Sequence, residues 1–204
     1  MSPTQAERSA ATQQALLTAA RRLWGARGYA AVSTPEIAEA AGVTRGAMYH
    51  QYSDKTKLFL AVLEAVEEDV MRRLTETVIA AEPSTPADAL RIAADAWLDI
   101  ASEAEVRQLV LLDAPSILGW AGFREISLRY GLGMTEQLLA AAMESGQLPR
   151  QPIRALATVM LGALDEAAMS IANAEHPEAD QADVRTVVHN LIAGLLTSGS
   201  APPE

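Results

Sequence analysis

The part of the sequence that decides the fold is the stretch of residues 34–52, which reads TPEIAEAAGVTRGAMYHQY. Ile37 and Met48 are spaced so that two short helices can pack their apolar faces together across a turn, and Gly42 stands at the corner between them. The small side chain of Ala38 permits the two helices to cross closely. We therefore expect a helix-turn-helix unit, although an ordinary corner between two helices would show the same local pattern.

The remainder of the chain also has the periodicity of helices. Apolar residues recur at the helical spacing along almost the whole sequence, and alternating runs of β-branched residues are absent, so we expect an all-α fold of about nine helices. Either Ser33 or Thr34 should cap the helix before the turn, and Thr44 the helix after it. We place a domain boundary after the third helix, which gives a helix-turn-helix domain of residues 1–57 and a larger helical domain of residues 58–204.

Glycines and prolines set the expected ends of the other helices. The first helix should run from about residue 11 to residue 27, where Gly28 is positioned as its C-terminal cap. A single turn at residues 82–86 separates the fourth and fifth helices. The sixth and seventh helices are expected at about residues 105–112 and 120–145.

The charge is divided unevenly along the chain. The whole sequence carries a net charge of −10, yet residues 1–57 hold seven basic and four acidic side chains, a net of +3. Residues 58–204 hold nine basic and 22 acidic side chains, a net of −13. A basic N-terminal quarter on an acidic remainder suggests that only the first part meets a polyanion, while the rest repels one.

What the sequence lacks excludes several classes of protein. The chain has no cysteine, which rules out disulfides, thiolate nucleophiles and cysteine-ligated metal centres. Its three histidines, His50, His176 and His189, form no paired-ligand spacing, so we expect no metal site and no cofactor. The apolar runs are interrupted before the roughly 18 residues of a membrane span, and the N-terminal stretch lacks the layout of a signal peptide. We expect a cytoplasmic protein with no membrane segment.

A three-helix unit followed by a long fourth helix resembles the TetR family of one-component bacterial repressors. The pattern covers about residues 12–59, and Tyr52 stands where the family more often has Phe. The residues in register are Ala19, Ala20, Leu23, Gly28, Tyr29, Ser33, Thr34, Ile37, Ala38, Ala41, Gly42, Val43, Tyr49, Tyr52, Lys55 and Leu58. Beyond this stretch the chain matches the family only in the number and order of its helices.

The resemblance implies which residues contact DNA. In the family, the helix that matches residues 44–51 enters the major groove. The resemblance implies that bases are approached by Arg45, Gly46, Ala47 and His50, and that phosphates are held by Thr34, Thr44, Tyr49 and Lys55. From its chemistry alone, Arg45 has the best claim to sequence specificity, because a guanidinium can form two hydrogen bonds to O6 and N7 of guanine.

The last two helices carry apolar stripes wide enough to contact more than one neighbour. In the family, such a pair forms a four-helix interface with the same pair of a second subunit. The residues that we predict in this interface are Met160, Leu164, Val188, Leu191 and Leu195. Dimerisation is independently favoured, because one recognition helix spans only a few base pairs. Burial of the same stripes inside a single chain is the alternative.

The helical remainder also carries candidates for a ligand pocket. In the family, the helices that match the fifth and the seventh line an effector site. The aromatic and methionine residues on these helices are Trp97, Trp120, Phe123, Tyr130 and Met134. Three carboxylates in apolar surroundings, Asp113, Asp165 and Glu166, are candidates for selecting a cationic or hydroxylated ligand. Core packing of the aromatic residues, helix capping by Asp113 and solvent exposure of Asp165 and Glu166 are the alternatives.

These features predict a transcriptional regulator, a repressor that binds palindromic double-stranded operator DNA as a homodimer and is released by an unidentified small molecule. Residues 58–204 then form the effector-binding and dimerisation domain. One alternative is a DNA-binding protein that responds to no ligand and has a filled core in place of a cavity. Another is an all-α enzyme with the helix-turn-helix as scaffold, but no catalytic motif supports it, and we expect no enzymatic activity.

Overall fold

The fold is built of helices. The computed structural model describes residues 4–174 and 177–197, and every regular element in these two ranges is helical, which confirms the all-α prediction. The α-helices are α1 (Gln5–Arg27), α2 (Thr34–Ala40), α3 (Arg45–Gln51), α4 (Lys55–Ala80), α5 (Pro86–Ser102), α6 (Ala104–Val106), α7 (Ala114–Glu144), α8 (Ile153–Ala172) and α9 (Pro177–Thr197). A π-helical segment, Arg107–Asp113, joins α6 to α7.

Side-chain caps set the beginnings of the two helices on either side of the turn. The hydroxyl of Ser33 accepts a hydrogen bond from the backbone N–H of Glu36 at 3.4 Å, so Ser33 rather than Thr34 is the N-cap of α2. Thr44 caps α3 in the same way, because its hydroxyl oxygen accepts from the backbone N–H of Ala47 at 3.1 Å. These caps determine the register of the side chains along both helices.

The first helix begins earlier than its apolar stripe predicts. The Thr4 hydroxyl accepts from the backbone N–H of Glu7 at 3.2 Å, and the Glu7 carboxylate accepts from the backbone N–H of Thr4 at 2.6 Å. This capping box satisfies donors that a helix end leaves unpaired, so α1 extends through polar residues that add nothing to the stripe. At the other end Gly28 adopts a φ of 78°, as its expected capping position requires.

The stretch between α5 and the long part of α7 differs from its predicted form. Two separate helices are expected there, whereas the chain is helical from α6 through the π-helical segment into α7. The break comes at Gly119, whose φ of 69° and ψ of 171° are not helical, so the second part of α7 begins at Trp120 as predicted. A π-helical turn holds more residues than an α-helical one, and a sequence period of 3.6 does not reveal it.

The helices form two compact units. The first unit consists of the described part of Met1–Glu67 together with Ala104–Gly119. In this unit α1 packs against α2, α3, α6 and the π-helical segment. Its fully buried core includes Leu16, Trp24, Val32, Ile37, Met48, Leu58, Phe59 and Leu109. Because α2 and α3 turn their apolar residues into this core, their polar residues face outward.

The second unit consists of Glu68–Glu103 together with the described part of Trp120–Glu204. Here α5 packs against α8 and α9, which also pack against each other. By length and composition alone, α8 is apolar enough to cross a membrane. A third of this apolar stretch is buried inside the protein. Its residue Asp165 is ion-paired with Arg124 inside the unit, and α8 packs on α5 and α9.

Candidate functional sites

The outward face of α3 carries the residues predicted to approach DNA bases. Met48 has no exposed surface, and it anchors the opposite face of the helix in the core. On the outward face Arg45, Gly46 and His50 are exposed, and Ala47 is half-buried. The structure thus brings the four residues together on one short helix, with a guanidinium and an imidazole as the groups that can hydrogen-bond to base edges.

Two of the predicted phosphate ligands meet beside this face. The hydroxyls of Thr34 on α2 and Tyr49 on α3 lie 3.2 Å apart, and Tyr49 is 41% exposed. The guanidinium carbon of Arg45 lies 5.7 Å from the centre of the Tyr49 ring, within cation–π range. The hydrogen bond to Thr34, and after it the Arg45 guanidinium, lower the pKa of the Tyr49 phenol. These three side chains form one connected polar group across α2 and α3.

Lys55, another predicted phosphate ligand, contacts Tyr29 of the same unit. Its ammonium nitrogen lies 2.6 Å from the carbonyl oxygen of Tyr29 and 4.0 Å from the centre of the Tyr29 ring. Burial lowers the pKa of Lys55, and the nearby Asp113 carboxylate offsets part of that effect. Lys55 therefore already has partners in the protein, which the resemblance alone does not imply.

Three aromatic rings, those of Trp24, Tyr29 and Phe59, pack together in the first unit. The Trp24 ring lies 5.4 Å from that of Tyr29 and 5.7 Å from that of Phe59, measured between centroids. Among the residues that the structure describes, two polar atoms of the first unit are buried with no hydrogen bond of ordinary geometry, Nε1 of Trp24 and the hydroxyl of Tyr52. Burial raises the pKa of the Tyr52 phenol, and the Gln13 side chain offsets this only in part. The Tyr52 hydroxyl is thus a source of instability in an otherwise apolar core.

Most of the predicted effector residues lie in the second unit. They are Trp97, Trp120, Phe123, Tyr130, Met134 and Asp165. The indole N–H of Trp97 on α5 donates to the backbone carbonyl of Leu164 on α8 at 3.2 Å, so this ring has a fixed orientation. Phe123 is buried, and Trp120 beside it is 61% exposed, with ring centres 5.9 Å apart. Tyr130 and Met134 are half-buried.

Asp165 is a buried carboxylate with two partners that the sequence does not reveal. It is 4% exposed, and its Oδ2 accepts from Nη1 of Arg124 at 2.8 Å and from the Ser127 hydroxyl at 2.5 Å. Burial raises the pKa of Asp165, and the bonds from Ser127 and Arg124 act in the opposite direction. Solvent exposure of Asp165, one of the alternatives, is wrong. The three-residue spacing of Arg124 and Ser127 places both on one face of α7, and this spacing is the only feature of the sequence that indicates a shared polar partner.

The structure places Asp113 apart from the other predicted effector residues. It ends the π-helical segment in the first unit, and its Oδ2 accepts from the backbone N–H of Tyr29 at 2.8 Å. Asp113 therefore caps a backbone group at the end of α1 and does not cap its own helix. The two residues are 84 positions apart in the sequence, so no local pattern predicts the contact.

The predicted interface residues of α8 and α9 do not share one face. Met160 and Val188 are buried in the second unit, so for these two the alternative of burial within one chain holds. Leu164 and Leu195 are half-buried. Both helices have apolar residues on more than one side, and a period of 3.6 does not tell which side the rest of the unit covers.

Three large apolar side chains remain exposed on the described parts of these two helices, and only one of them was among the predicted interface residues. Leu191, among the predicted residues, is 56% exposed, and Val187 on the same helix is exposed to a similar degree. On α8 the exposed apolar side chain is Val159, flanked one turn away on each side by the exposed small residues Ala155 and Ala163. Small residues on a helix surface permit another helix to approach closely.

A cluster of charged side chains joins α9 to α5. Arg185 pairs with Asp95 at 2.6 Å and with Asp99 at 2.5 Å, and Nε2 of His189 lies 2.9 Å from the same Asp95 oxygen as Arg185. Across residues 4–174 and 177–197, no three His, Cys, Asp or Glu side chains are grouped so as to hold a metal ion. His176 lies outside the described residues. The ion pairs of Arg185 link α9 to α5.

Two family models match the chain. The model described as bacterial regulatory proteins, tetR family, matches residues 16–62. The model described as tetracyclin repressor-like, C-terminal domain, matches residues 87–195, more than half of the chain. The matches thus cover both the helix-turn-helix segment and the larger helical domain.

Individual relatives agree with the family models. The transposon Tn10 TetC protein of Escherichia coli is 28% identical over 144 residues, which are 71% of this chain and 72% of that protein. The HTH-type transcriptional regulator AcrR of Shigella flexneri is 44% identical over 59 residues, 29% of this chain and 27% of AcrR.

Solved structures share the whole fold. A TetR-family transcriptional regulator from Pectobacterium atrosepticum has a TM-score of 0.84 at 30% identity, covering 99% of this chain and 100% of that one. RolR in complex with resorcinol has a TM-score of 0.74 at 19% identity, covering 98% and 99% of the two chains, which shows the fold alone. The matched family consists of regulators and not of enzymes. The chain belongs to the TetR family of bacterial transcriptional regulators.

Proposed function

We propose that this regulator is a homodimeric repressor that reads a palindromic operator with α3 and leaves the DNA when a small molecule binds its second unit. The observation that carries the proposal is the exposed group of Arg45, Tyr49 and His50 on α3, linked to Thr34 on α2. A guanidinium, an imidazole and hydroxyls on one helix face are the groups that major-groove binding requires. The net charge of +3 on residues 1–57 favours DNA in the same place.

The roles of these residues divide by chemistry. Arg45 reads a guanine, and His50 donates to a second base edge. The Thr44 hydroxyl accepts from Ala47 within the helix cap, which leaves its own proton free to donate to a phosphate oxygen. Thr34 and Tyr49 hold a phosphate together through their paired hydroxyls. A protein with these contacts acts where the chromosome is, so we infer a cytoplasmic location.

The dimer forms through the exposed apolar side chains of α8 and α9. Val159, Val187 and Leu191 are large, apolar and more than half exposed in one chain, which favours their burial against a second copy. The exposed Ala155 and Ala163 permit close helix packing beside them. A pair of helices from each chain gives a four-helix interface with two-fold symmetry, which matches the symmetry of a palindrome.

The effector is a small, largely apolar molecule that carries a hydrogen-bond donor. The aromatic side chains of Trp97 and Phe123 supply apolar contact, and Asp165 supplies a buried acceptor. Both hydrogen bonds from Arg124 and Ser127 go to Oδ2 of Asp165, so Oδ1 can accept from a ligand hydroxyl or ammonium group. RolR, which shares this fold, has been crystallised with resorcinol, an aromatic diol, and this supports phenols as the first ligands to test.

Selection of duplexes from a randomised library tests the DNA-binding part of the proposal. The purified protein should enrich one palindromic sequence whose half-sites are about 10 base pairs, one helical turn, apart. If the enriched sequence is not palindromic, binding as a symmetric dimer is contradicted. If no sequence is enriched, sequence-specific binding is contradicted. The enriched sequence then serves as the operator in the experiments below, and it is called the selected duplex.

A further inference from the structure

Two charged side chains from different helices hold the backbone of Tyr29. Its N–H donates to Oδ2 of Asp113 at 2.8 Å, and its carbonyl oxygen accepts from Nζ of Lys55 at 2.6 Å. Lys55 is the first residue of α4, and Asp113 is the last residue of the π-helical segment. All three residues belong to the first unit. Hydrogen bonds to charged groups are stronger than those between neutral ones. The N–H and the carbonyl oxygen of Tyr29 therefore both form strong hydrogen bonds.

The Tyr29 side chain is held as firmly as its backbone. The Lys55 ammonium lies 4.0 Å from the centre of the Tyr29 ring, a cation–π contact. The edge-on Phe59 ring lies 5.2 Å away between centroids, and the Tyr29 hydroxyl lies 3.3 Å from that of Thr56. Tyr29 thus has fixed contacts with α4 through its ring, its hydroxyl and its carbonyl oxygen.

The π-helical segment approaches the turn before Tyr29 closely. A Cβ added to Gly28 would lie 3.0 Å from the side-chain nitrogen of Gln108 and 3.8 Å from Oδ1 of Asp113. Gly28 also has a φ of 78°, which side chains rarely tolerate. A glycine is therefore needed both for the turn itself and for the contact with the segment. Single π-helical turns of this kind occur often at functional positions.

We propose that Asp113 is a positioning residue for DNA binding, which acts with Lys55 to clamp Tyr29, and that Lys55 supports DNA affinity through this clamp instead of through a phosphate contact. The inference rests on the proposed role of α3 in DNA binding. Tyr29 precedes α2 in the chain and Lys55 follows α3, so the clamp ties together the two ends of the helix-turn-helix segment. A segment ordered before it meets DNA binds more tightly than one that must become ordered on binding.

The charge of Asp113 makes this inference easy to distinguish from simple electrostatics. A carboxylate in a unit that binds a polyanion repels it, so on electrostatic grounds alone the removal of Asp113 increases DNA affinity. The clamp predicts the opposite sign, because the N–H of Tyr29 loses its acceptor. Asparagine retains an acceptor oxygen without the charge, and glutamate retains the charge but displaces the acceptor by one methylene group.

The test compares four variants with the wild type by fluorescence anisotropy on the selected duplex. Asp113→Ala and Asp113→Glu should each bind at least about fivefold more weakly, whereas Asp113→Asn should stay within about twofold of the wild type. Glu39→Ala is the matched control, since it removes an exposed carboxylate of α2, and it should bind as tightly as the wild type or more tightly. An Asp113→Ala variant that binds as tightly as the wild type overturns the clamp, and so does an equal loss in Asp113→Ala and Asp113→Asn.

A salt titration separates the two possible roles of Lys55. Removing a lysine that neutralises a phosphate reduces the slope of log affinity against log salt by about one. The clamp predicts that Lys55→Ala weakens binding at an unchanged slope. It also predicts that adding Asp113→Ala to Lys55→Ala causes little further loss, because both changes open the same clamp. If Lys55→Ala reduces the salt slope, and the losses of affinity in the two single variants add in the double variant, Lys55 binds a phosphate and the clamp is overturned.

Thermal unfolding followed by circular dichroism shows which variants are folded at the assay temperature. If Asp113→Ala is not folded there, Asp113→Glu carries the comparison, since it retains the charge and most of the side chain. A wild-type protein that selects no duplex contradicts the DNA-binding role of α3, and the clamp with it. Wild-type binding combined with an unimpaired Asp113→Glu variant contradicts the clamp alone.

Discussion

Arg45 carries most of the chemistry by which a single residue of this protein can distinguish one DNA sequence from another. Its guanidinium is exposed on α3, and the Tyr49 ring below it limits the directions in which it can point. His50 offers fewer donors, while Gly46 and Ala47 offer close approach and no hydrogen bonds from their side chains. Sequence preference should therefore depend on Arg45 more than on any of its neighbours.

Replacing Arg45 by alanine should weaken binding to the selected duplex by about 1 to 3 kcal/mol, because two hydrogen bonds to one base are lost. Binding to a scrambled duplex of the same length should change much less. Fluorescence anisotropy on both duplexes measures the difference. An equal loss on the two duplexes would show that Arg45 contacts the backbone and reads no base.

Tyr52 offers a residue whose replacement should stabilise the protein. Its hydroxyl is buried and forms no hydrogen bond of ordinary geometry among the described residues, although the Gln13 side chain lies near enough to lower its pKa. An unsatisfied buried polar group costs about 1 to 3 kcal/mol. Tyr52→Phe removes that group and retains the ring, so the melting temperature should rise by roughly 2 to 4 °C for each kcal/mol gained. Tyr49→Phe is the control, since its hydroxyl is bonded to Thr34 and its loss should bring no gain. A lower melting temperature for Tyr52→Phe would mean that its hydroxyl has a partner after all.

The exposure of a residue within a short helix can be predicted from the sequence, whereas its contacts with distant residues cannot. The exposure of Arg45 and His50 and the burial of Met48 follow from the helical period of a short segment. The partners of Asp113 and Lys55 do not, because Tyr29 is far from both in the sequence, and charged residues take their roles from whichever group the fold brings near. The same reason hides Arg124 and Ser127, the partners of Asp165.

Some helix ends, such as the caps at Thr44 and Gly28, were predicted from the sequence, whereas the beginning of α1 and the buried faces of α8 and α9 were not. Caps such as Thr44 and breaks such as Gly119 act within a few residues, so local sequence reveals them. Which side of a helix is buried depends on the elements packed against it, and α8 and α9 carry apolar residues on several sides. For that reason Met160 and Val188 were assigned to an interface although the unit itself buries them. The exposure of Val159 and Val187 could not be predicted for the same reason.

The exposed apolar side chains of α8 and α9 lead to a test of the proposed interface at the scale of the helix pair. Leu191→Glu places a charge in the proposed interface, which should cost several kcal/mol of dimer stability and give a monomer by light scattering. Because Leu191 is 56% exposed within one chain, the monomer should remain folded. Ile79→Glu, at a side chain of α4 that is 69% exposed, is the matched control and should remain dimeric. A dimeric Leu191→Glu protein would show that the interface lies elsewhere.

The whole molecule combines a basic DNA-binding segment with an acidic remainder and divides into two units. The segment of residues 1–57 attracts DNA, while the negative charge of residues 58–204 discourages contact of the other parts with it. α4 begins in the first unit and ends in the second. A ligand that binds the second unit can change DNA affinity only if it prefers one conformation of the whole chain.

Linkage between the two sites gives a prediction for the intact protein. An inducing phenol should weaken binding to the selected duplex by roughly 5- to 150-fold, and the duplex should weaken binding of that phenol by the same factor. Titration of the phenol with and without saturating duplex, followed by tryptophan fluorescence, measures both affinities. A phenol that binds equally well in both cases is not an inducer, and its site does not regulate DNA binding.

The proposed DNA complex has two copies of α3 in successive major grooves of a palindromic site. Hydroxyl-radical footprinting of the selected duplex tests it most directly, because the pattern of protection reports where protein meets the DNA backbone. We predict two equivalent protected regions related by the two-fold axis of the sequence, with half-site centres about 34 to 36 Å apart. Arg45→Ala should leave the spacing of these regions unchanged at saturating protein. A single protected region, or uniform protection along the duplex, would contradict the claim.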